Sequence, residues 1–88
     1  MVQEELVKTL SEELKVPFYA CESSNIVCYG YQPKELALWI AFKGNKIYRY
    51  PNITKEQFQD LQSADSKGKW VNANLVKTKI QCEAYELS

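Results

Sequence analysis

Apolar residues recur at helical spacing near the start of the chain and dominate three short segments in its middle. The helical spacing gives residues 2–15 one apolar face, formed by Val2, Leu6, Leu10 and Leu14. Val16-Pro17 ends this helix, because a proline disfavours helical geometry in the residue before it. The segments 25–31, 36–42 and 46–50 are rich in β-branched and aromatic residues, which predicts three strands.

Gly44-Asn45 lies between the second and third of these segments and predicts a two-residue hairpin turn. In that register Lys43 lies opposite Lys46, and residues that oppose each other share a face of the sheet. One face is then aliphatic. The other face forms an aromatic platform made of Trp39, Tyr48 and Tyr50.

The chain after the third strand predicts helices. Thr54 and Gln57 form a capping box that starts a helix over residues 54–64. A shorter helical segment follows from Trp70 to Lys77, and residues 80–88 are either a fourth strand or a docked tail. The predicted fold class is α+β, with a small antiparallel sheet of three to four strands, an N-terminal helix and one or two helices after the third strand.

A chain of 88 residues is long enough for one domain with a modest core. We divide it into an N-terminal amphipathic helix and connector (1–22), a central domain (23–79) and a C-terminal tail or edge strand (80–88). These parts are expected to form a single compact unit. The N-terminal helix is expected to cover the second face of the sheet or its edge.

The formal net charge is zero, but the charge is unevenly distributed. Residues 1–22 carry two lysines against five glutamates, whereas residues 23–79 carry nine basic against four acidic residues. The tail adds two glutamates. The basic middle either presents a positive face to an anion or pairs with its own acidic flanks.

The chain has no histidine, which removes the usual general base at neutral pH and the commonest metal ligand. Carboxylates such as Asp60 and Asp65 are interpreted as a solvated face. The three cysteines, Cys21, Cys28 and Cys82, form no CxxC pair and are interpreted as free thiols in a reducing compartment. We therefore expect no enzyme activity, no metal and no cofactor.

No apolar run approaches the roughly 20 residues of a membrane span. The acidic, amphipathic start of the chain fits neither a secretory nor a transit signal. The expected location is the cytoplasm, without a membrane partner.

Several short motifs occur together over residues 23–76. They are Ser23-Ser24 with Ile26, then Tyr31 and Pro33, then Leu38, Ile40 and Phe42, the YxY signature at Tyr48 and Tyr50, Leu61, and ADSKGKW at 64–70 with Asn72 and Asn74. This combination resembles the KTSC domain, a short module found at the C-terminus of some lysyl-tRNA synthetases and as free-standing bacterial and phage proteins. Trp39 departs from the family pattern, which more often has a polar residue there. The resemblance implies RNA binding as the suggested role and supplies no catalytic residues.

Two interpretations of the aromatic platform stay open. If the platform is a ligand site, its rings would stack on bases, each stacking contact contributing roughly 1–3 kcal/mol to the binding free energy, and nearby basic residues would contact the phosphates. Arg49 falls on the aliphatic face in the predicted register, so it would reach a ligand only near the sheet edge. If the platform belongs to the core, the rings would lie under the N-terminal helix.

Residues 66–70 also have two interpretations: they either cradle a phosphate or cap and anchor a helix. The candidate ligand-binding residues are Trp39, Lys46, Tyr48, Arg49, Tyr50, Ser66, Lys67, Lys69 and Trp70.

These residues support one main functional hypothesis and an alternative. The main hypothesis is a small non-enzymatic module that binds nucleic acid, with RNA favoured, through the aromatic face and a basic rim. The alternative is a phage-type inhibitor that occludes a host or defence protein or sequesters a small nucleotide. An open aromatic face would also favour a homo-oligomer.

Overall fold

A computed structural model of the chain describes residues 3–44, 46–76 and 81–86. Its centre is a sheet of five antiparallel strands that lie side by side in chain order. The strands are β1 (Phe18–Ala20), β2 (Ile26–Gln32), β3 (Ala37–Phe42), β4 (Lys46–Tyr50) and β5 (Glu83–Tyr85). The α-helices are α1 (Gln3–Leu14), α2 (Lys55–Ser63) and α3 (Lys67–Val71), and α3 continues into a π-helical turn over Asn72–Val76.

The predicted α+β class is confirmed, but the sheet has more strands than the three or four predicted. Two strands of three residues each, β1 and β5, extend the sheet at its edges. β1 is too short to give a periodic signal, and β5 lies in the tail that the sequence left undecided. The last helical segment begins at Lys67 rather than near Trp70, and its predicted end at Lys77 lies outside the described residues.

The predicted N-terminal helix, α1, packs on one face of the sheet. Its Leu6 and Leu10 are fully buried, and Lys15 turns the chain out of the helix in a left-handed backbone conformation (φ 57°). We call the hydrophobic cluster beneath α1 the N-helix core. It consists of Leu6, Leu10, Val16, Phe18, Cys28, Trp39, Ala41 and Ile47.

The helices that follow β4 bury the other face of the sheet. α2 starts at the predicted capping box, in which the amide of Gln57 donates to Thr54 Oγ1 (3.2 Å) and the Gln57 side chain accepts from the amide of Thr54 (2.8 Å). We call the cluster on this face the α2 core. It consists of Ile26, Tyr29, Tyr31, Leu38, Ile40, Tyr50, Ile53, Leu61, Val71 and Leu75. The sheet therefore separates two hydrophobic cores.

The pairing of β3 with β4 differs by one residue from the predicted hairpin. Phe42 pairs with Lys46, so three residues rather than two connect the strands. Gly44 supplies the left-handed conformation that the turn needs (φ 86°), and Asn45 lies outside the described residues. Because side chains alternate along a strand, a shift of one residue moves every β4 side chain to the opposite face.

The predicted aromatic platform is wrong for this reason. Tyr48 pairs with Ile40 and lies on the α2 face, and Tyr50 pairs with Leu38 on the same face. Trp39 instead pairs with Arg49 on the α1 face. The three rings therefore lie on opposite sides of the sheet, and Arg49 shares a face with Trp39 rather than with the aliphatic residues of β3.

The described cysteines are free thiols: Cys21 follows β1 and packs against the α2 core, whereas Cys28 of β2 lies in the N-helix core. Over residues 3–44, 46–76 and 81–86, the helices are all too short or too polar to cross a bilayer.

Candidate functional site

Trp39 is a core residue whose polar atom already has a partner. Only 6% of its surface is exposed, and its indole N–H donates to Gln32 Oε1 (2.8 Å). The ring of Tyr85 from β5 meets the Trp39 ring edge to face, with centroids 5.4 Å apart. Trp39 therefore offers no face for a ligand to stack on.

The two tyrosines of the YxY signature are also packed into the protein. Tyr50 is 4% exposed, and burial raises its pKa to about 12, with smaller contributions from Cys82 and Tyr48. Tyr48 is half-buried and meets Phe42 edge to face at 5.9 Å. Of the three predicted platform residues, only Tyr48 keeps part of its ring at the surface.

Arg49 and Trp70 make structural contacts. Arg49 Nη1 lies 3.9 Å from Glu83 Oε1 and so forms an ion pair across β4 and β5. Trp70 is half-buried against the α2 core, and its indole N–H donates to Asp60 Oδ2 (3.3 Å). Both residues link elements of the fold, so they are less available to a ligand than the sequence suggests.

The remaining predicted site residues meet at one end of the sheet, which we call the loop end. It carries the β1–β2 loop (residues 21–25), the β3–β4 turn at Lys43 and Gly44, and the start of α3. The amide of Lys43 donates to the carbonyl of Asn25 (2.9 Å), which fixes the turn to the loop. The β2–β3 turn lies at the opposite end of the sheet.

The β1–β2 loop packs directly on the start of α3. The Ser23 hydroxyl donates to Asn25 Oδ1 (2.9 Å) and accepts from the amides of Asn25 and Ile26 (both 3.3 Å). A Cβ atom on Gly68 would lie 2.7 Å from Asn25 Oδ1 and 2.9 Å from Ser23 Oγ. Any larger residue at position 68 would therefore force the Asn25 and Ser23 side chains to move.

Two open clefts lie on either side of the β1–β2 loop, and both are lined by Glu22 and Ser23. Cleft 1, of about 510 Å³, lies between the loop, α1 and the β3–β4 turn; its other lining residues are Gln3, Leu6, Cys21, Ile26, Val27, Lys43 and Gly44. Cleft 2, of about 450 Å³, lies between the loop and α3; its other lining residues are Ser24, Asn25, Ser66, Gly68, Lys69 and Asn72.

The loop end carries lysines that are free to meet an anion. Lys43, Lys46 and Lys69 are exposed, and none of them forms an ion pair with another described residue. Lys67 differs, because its ammonium group donates to the carbonyls of Gln62 (3.3 Å) and Ala64 (3.5 Å) at the end of α2. Ser66 caps α3 by accepting from the amide of Lys69 (3.3 Å). Ser66 therefore holds the backbone of Lys69 at the start of α3, and Lys67 ties α3 to the end of α2.

Sequence reasoning missed the β1–β2 loop as part of the site. The resemblance already matched Ser23-Ser24 and the 64–70 motif, but nothing in the sequence brings those two segments together. Cys21 was also missed as a lining residue; burial raises the pKa of its thiol, and the nearby Lys67 ammonium partly offsets that rise. No cluster of three or more potential metal ligands occurs among the described residues.

Replacing Gly68 with alanine is expected to lower the free energy of unfolding by about 1 kcal/mol. The new methyl group would displace the Asn25 side chain and crowd the Ser23 hydroxyl, and overpacking of this kind costs about 1–3 kcal/mol. Alanine has a higher helix propensity than glycine, but near a helix start this offsets less than about 1 kcal/mol of that cost. Urea denaturation followed by tryptophan fluorescence measures the difference.

The control for this prediction is Asn25→Ala, which removes the nearest clashing atom. In that background Gly68→Ala should cost clearly less, so the two changes should be non-additive. A Gly68→Ala variant as stable as the wild type would show that the loop and α3 are not tightly fitted.

The fold and the loop end define a class of small α+β modules in which a β-meander is covered by helices and loops converge at one end. The KTSC domain family model matches residues 22–77, which is more than half of the chain, and the chain belongs to that family. The matched residues include both clefts apart from Gln3, Leu6 and Cys21. α1 and β1 precede the match, and β5 follows it.

Relatives and a solved structure agree with this assignment. A protein of Tsukamurella paurometabola is 40% identical over 63 residues, covering 72% of this chain and 92% of that protein. An uncharacterized protein of Stutzerimonas stutzeri is 36% identical over 53 residues, covering 60% of this chain and 75% of that protein. The crystal structure of a KTSC domain protein from Yersinia pestis superimposes with a TM-score of 0.71 at 28% identity, covering 80% of this chain and 97% of that one.

Proposed function

We propose that this KTSC domain is a non-enzymatic module that binds nucleic acid, with RNA favoured, and that the contact surface is the loop end rather than an aromatic sheet face. One observation carries the proposal. Ser23–Asn25 lines a single cleft together with Ser66, Gly68 and Lys69, although the two segments are far apart in the sequence, and the lysines beside it form no ion pair with any described residue. Hydroxyl, amide and ammonium groups of this kind are the usual donors to phosphate oxygens.

The distribution of charge supports this surface. Lys43, Lys46 and Lys69 lie at the loop end, whereas Glu4 and Glu5 lie in the first turn of α1 and Glu22 lines both clefts. The exposed lysines therefore lie on both sides of Glu22, at the β3–β4 turn and in cleft 2, where they can attract a phosphate chain. The unpaired thiols fit a reducing compartment, so we place this activity in the cytoplasm.

The test is a titration of a fluorescently labelled single-stranded RNA with the protein between about 50 and 200 mM salt. We expect saturable binding that weakens steeply with salt. Lys69→Gln and Lys43→Gln should each weaken it several-fold and reduce the salt slope by about one, as expected when one phosphate contact is lost. Lys34→Gln, at the β2–β3 turn on the opposite end, is the matched control and should leave binding unchanged.

Either of two results would contradict the proposal. Absence of saturable binding at the lowest salt would remove nucleic acid as a ligand. An equal loss in Lys34→Gln and Lys69→Gln would mean that the attraction is a non-specific effect of total charge rather than a contact at the loop end.

A second candidate is a protein-binding factor that occludes a host or defence protein. The observation that favours it is the joint position of α1 and β5, both outside the family match. Tyr85 of β5 packs against the N-helix core beneath α1, so the two segments lie next to each other. Charge reversal at exposed positions of α1, such as Glu5→Lys and Glu12→Lys, would then abolish partner binding without reducing RNA binding.

A further inference from the structure

Cleft 1 combines aliphatic surface with polar atoms at its rim. Leu6 and Ile26 are buried and Val27 is half-buried, so their side chains form an apolar lining. The volume of about 510 Å³ falls within the range of about 300–1,000 Å³ that small-ligand pockets occupy. Leu6 and Gln3 come from α1, so this cleft needs a segment that precedes the residues matched by the family model.

The α1 side of this rim presents hydrogen-bond acceptors. The side-chain amide nitrogen of Gln3 donates to the carbonyls of Cys21 (2.9 Å) and Val27 (2.7 Å), which uses both of its N–H groups. Gln3 Oε1 has no hydrogen-bond partner among the described residues, and the Glu22 carboxylate lines the same cleft. A ligand that fits this side therefore carries N–H donors on its edge and no negative charge.

The opposite side of cleft 1 is basic and continues toward cleft 2. Lys43 lines cleft 1, and Lys69 lines cleft 2 beyond the β1–β2 loop. A ligand that spans both clefts would therefore place an uncharged, flat, donor-bearing part against α1 and its anionic part along the lysines. A nucleotide has this distribution of chemistry.

We infer that cleft 1 takes one unpaired nucleobase of an RNA strand whose phosphates follow Lys43 and cleft 2. The inference rests on the proposed function and adds a preference for single strands. The exocyclic amino groups of adenine, cytosine and guanine can donate hydrogen bonds to Gln3 Oε1 and to the Glu22 carboxylate. A base within a duplex is already paired and stacked, and it must leave the stack before it can enter a pocket.

Cys21 provides a reporter inside cleft 1. In a Cys82→Ser variant, which removes the exposed thiol, Cys21 and the buried Cys28 remain. Burial raises the pKa of Cys28 to about 12, so its reactive thiolate is scarce. The rate at which a small thiol reagent modifies Cys21 at mildly alkaline pH is then measured by mass spectrometry, with and without ligand.

The ligands compared are a short oligoadenylate, its duplex with oligouridylate and adenosine monophosphate, each with its affinity measured in parallel. We expect oligoadenylate at about ten times its Kd to slow modification of Cys21 about tenfold. The duplex should bind more weakly and leave the rate unchanged, and the mononucleotide should protect only at far higher concentration.

The outcomes separate the two proposals. Binding of strand and duplex without protection of Cys21 would overturn the nucleobase pocket and leave nucleic-acid binding intact. Protection by the mononucleotide equal to that by the strand would assign cleft 1 to a free nucleotide. If none of the three ligands binds, the proposed function fails, and the nucleobase pocket fails with it.

Discussion

Replacing Leu10 with alanine is expected to lower the free energy of unfolding by about 2–5 kcal/mol. Leu10 has no exposed surface and lies in the N-helix core, so truncation removes apolar contacts and leaves a cavity under α1. Small domains have total stabilities of about 5–15 kcal/mol, which makes this loss a large fraction of the whole. Urea denaturation followed by the fluorescence of buried Trp39 gives the midpoint and the slope.

The control is Lys8→Ala on the exposed side of the same helix, which should change the stability by less than about 0.5 kcal/mol. The comparison decides whether α1 is part of the folding unit, because α1 lies outside the residues matched by the family model. A loss below about 1 kcal/mol in Leu10→Ala would mean that α1 is a loosely attached addition.

The helices and the fold class follow from local sequence signals. The leucines of α1 are spaced for one buried face, and the Thr54–Gln57 capping box defines the start of α2. These signals depend on residues within one or two turns of each other, so they can be recognised without knowing the tertiary structure. The three-residue strands β1 and β5 have no such signal, because their place in the sheet comes from pairing with β2 and β4.

The register of the β3–β4 hairpin shows how one local error changes a functional prediction. Gly44 does take the left-handed conformation expected of a glycine in a turn. Two-residue and three-residue hairpin loops both use such a glycine, so its presence does not determine the loop length. The sequence around the turn did not distinguish them. A single residue of difference separated Trp39 from Tyr48 and Tyr50 and removed the platform on which the first site hypothesis depended.

Lys46 and Lys69 of the predicted site are exposed in the structure, whereas Trp39 and Tyr50 are buried. Lysines at a glycine-containing turn stay exposed in most folds, so the positions of Lys46 and Lys69 depended little on register. Large rings in a small domain are needed for its core, and the sheet here has two cores to fill. The pairing of Ser23 with Gly68 is tertiary and follows only from the packing of α3 on the β1–β2 loop.

The packing also suggests what the aromatic positions of the family pattern do in this chain. Tyr31 is 5% exposed and stacks on Phe58 of α2, with ring centroids 4.5 Å apart and an interplanar angle of 15°. Its hydroxyl donates to the buried carbonyl of Ile53 (2.6 Å), just before α2 begins. Tyr31 therefore joins the sheet to the entry of α2, at the end of the molecule opposite the loop end.

A pair of substitutions at Tyr31 separates the ring from the hydroxyl. Tyr31→Ala should cost about 3–5 kcal/mol, because it removes a buried aromatic ring. Tyr31→Phe keeps the stack on Phe58 but leaves the Ile53 carbonyl without its donor, which should cost about 1–3 kcal/mol. Chemical denaturation measures both values, and RNA titration of the folded protein, at a temperature where the variant remains folded, measures binding.

If the aromatic pattern is structural, both variants should lose stability while the folded fraction binds RNA with unchanged affinity, and Lys69→Gln should show the reverse. A Tyr31→Phe variant that keeps its stability but loses binding would contradict this division of roles. It would place the ligand against the Tyr31 ring, at the end of the sheet remote from both clefts. The two sets of variants therefore test whether stability and binding depend on opposite ends of the same sheet.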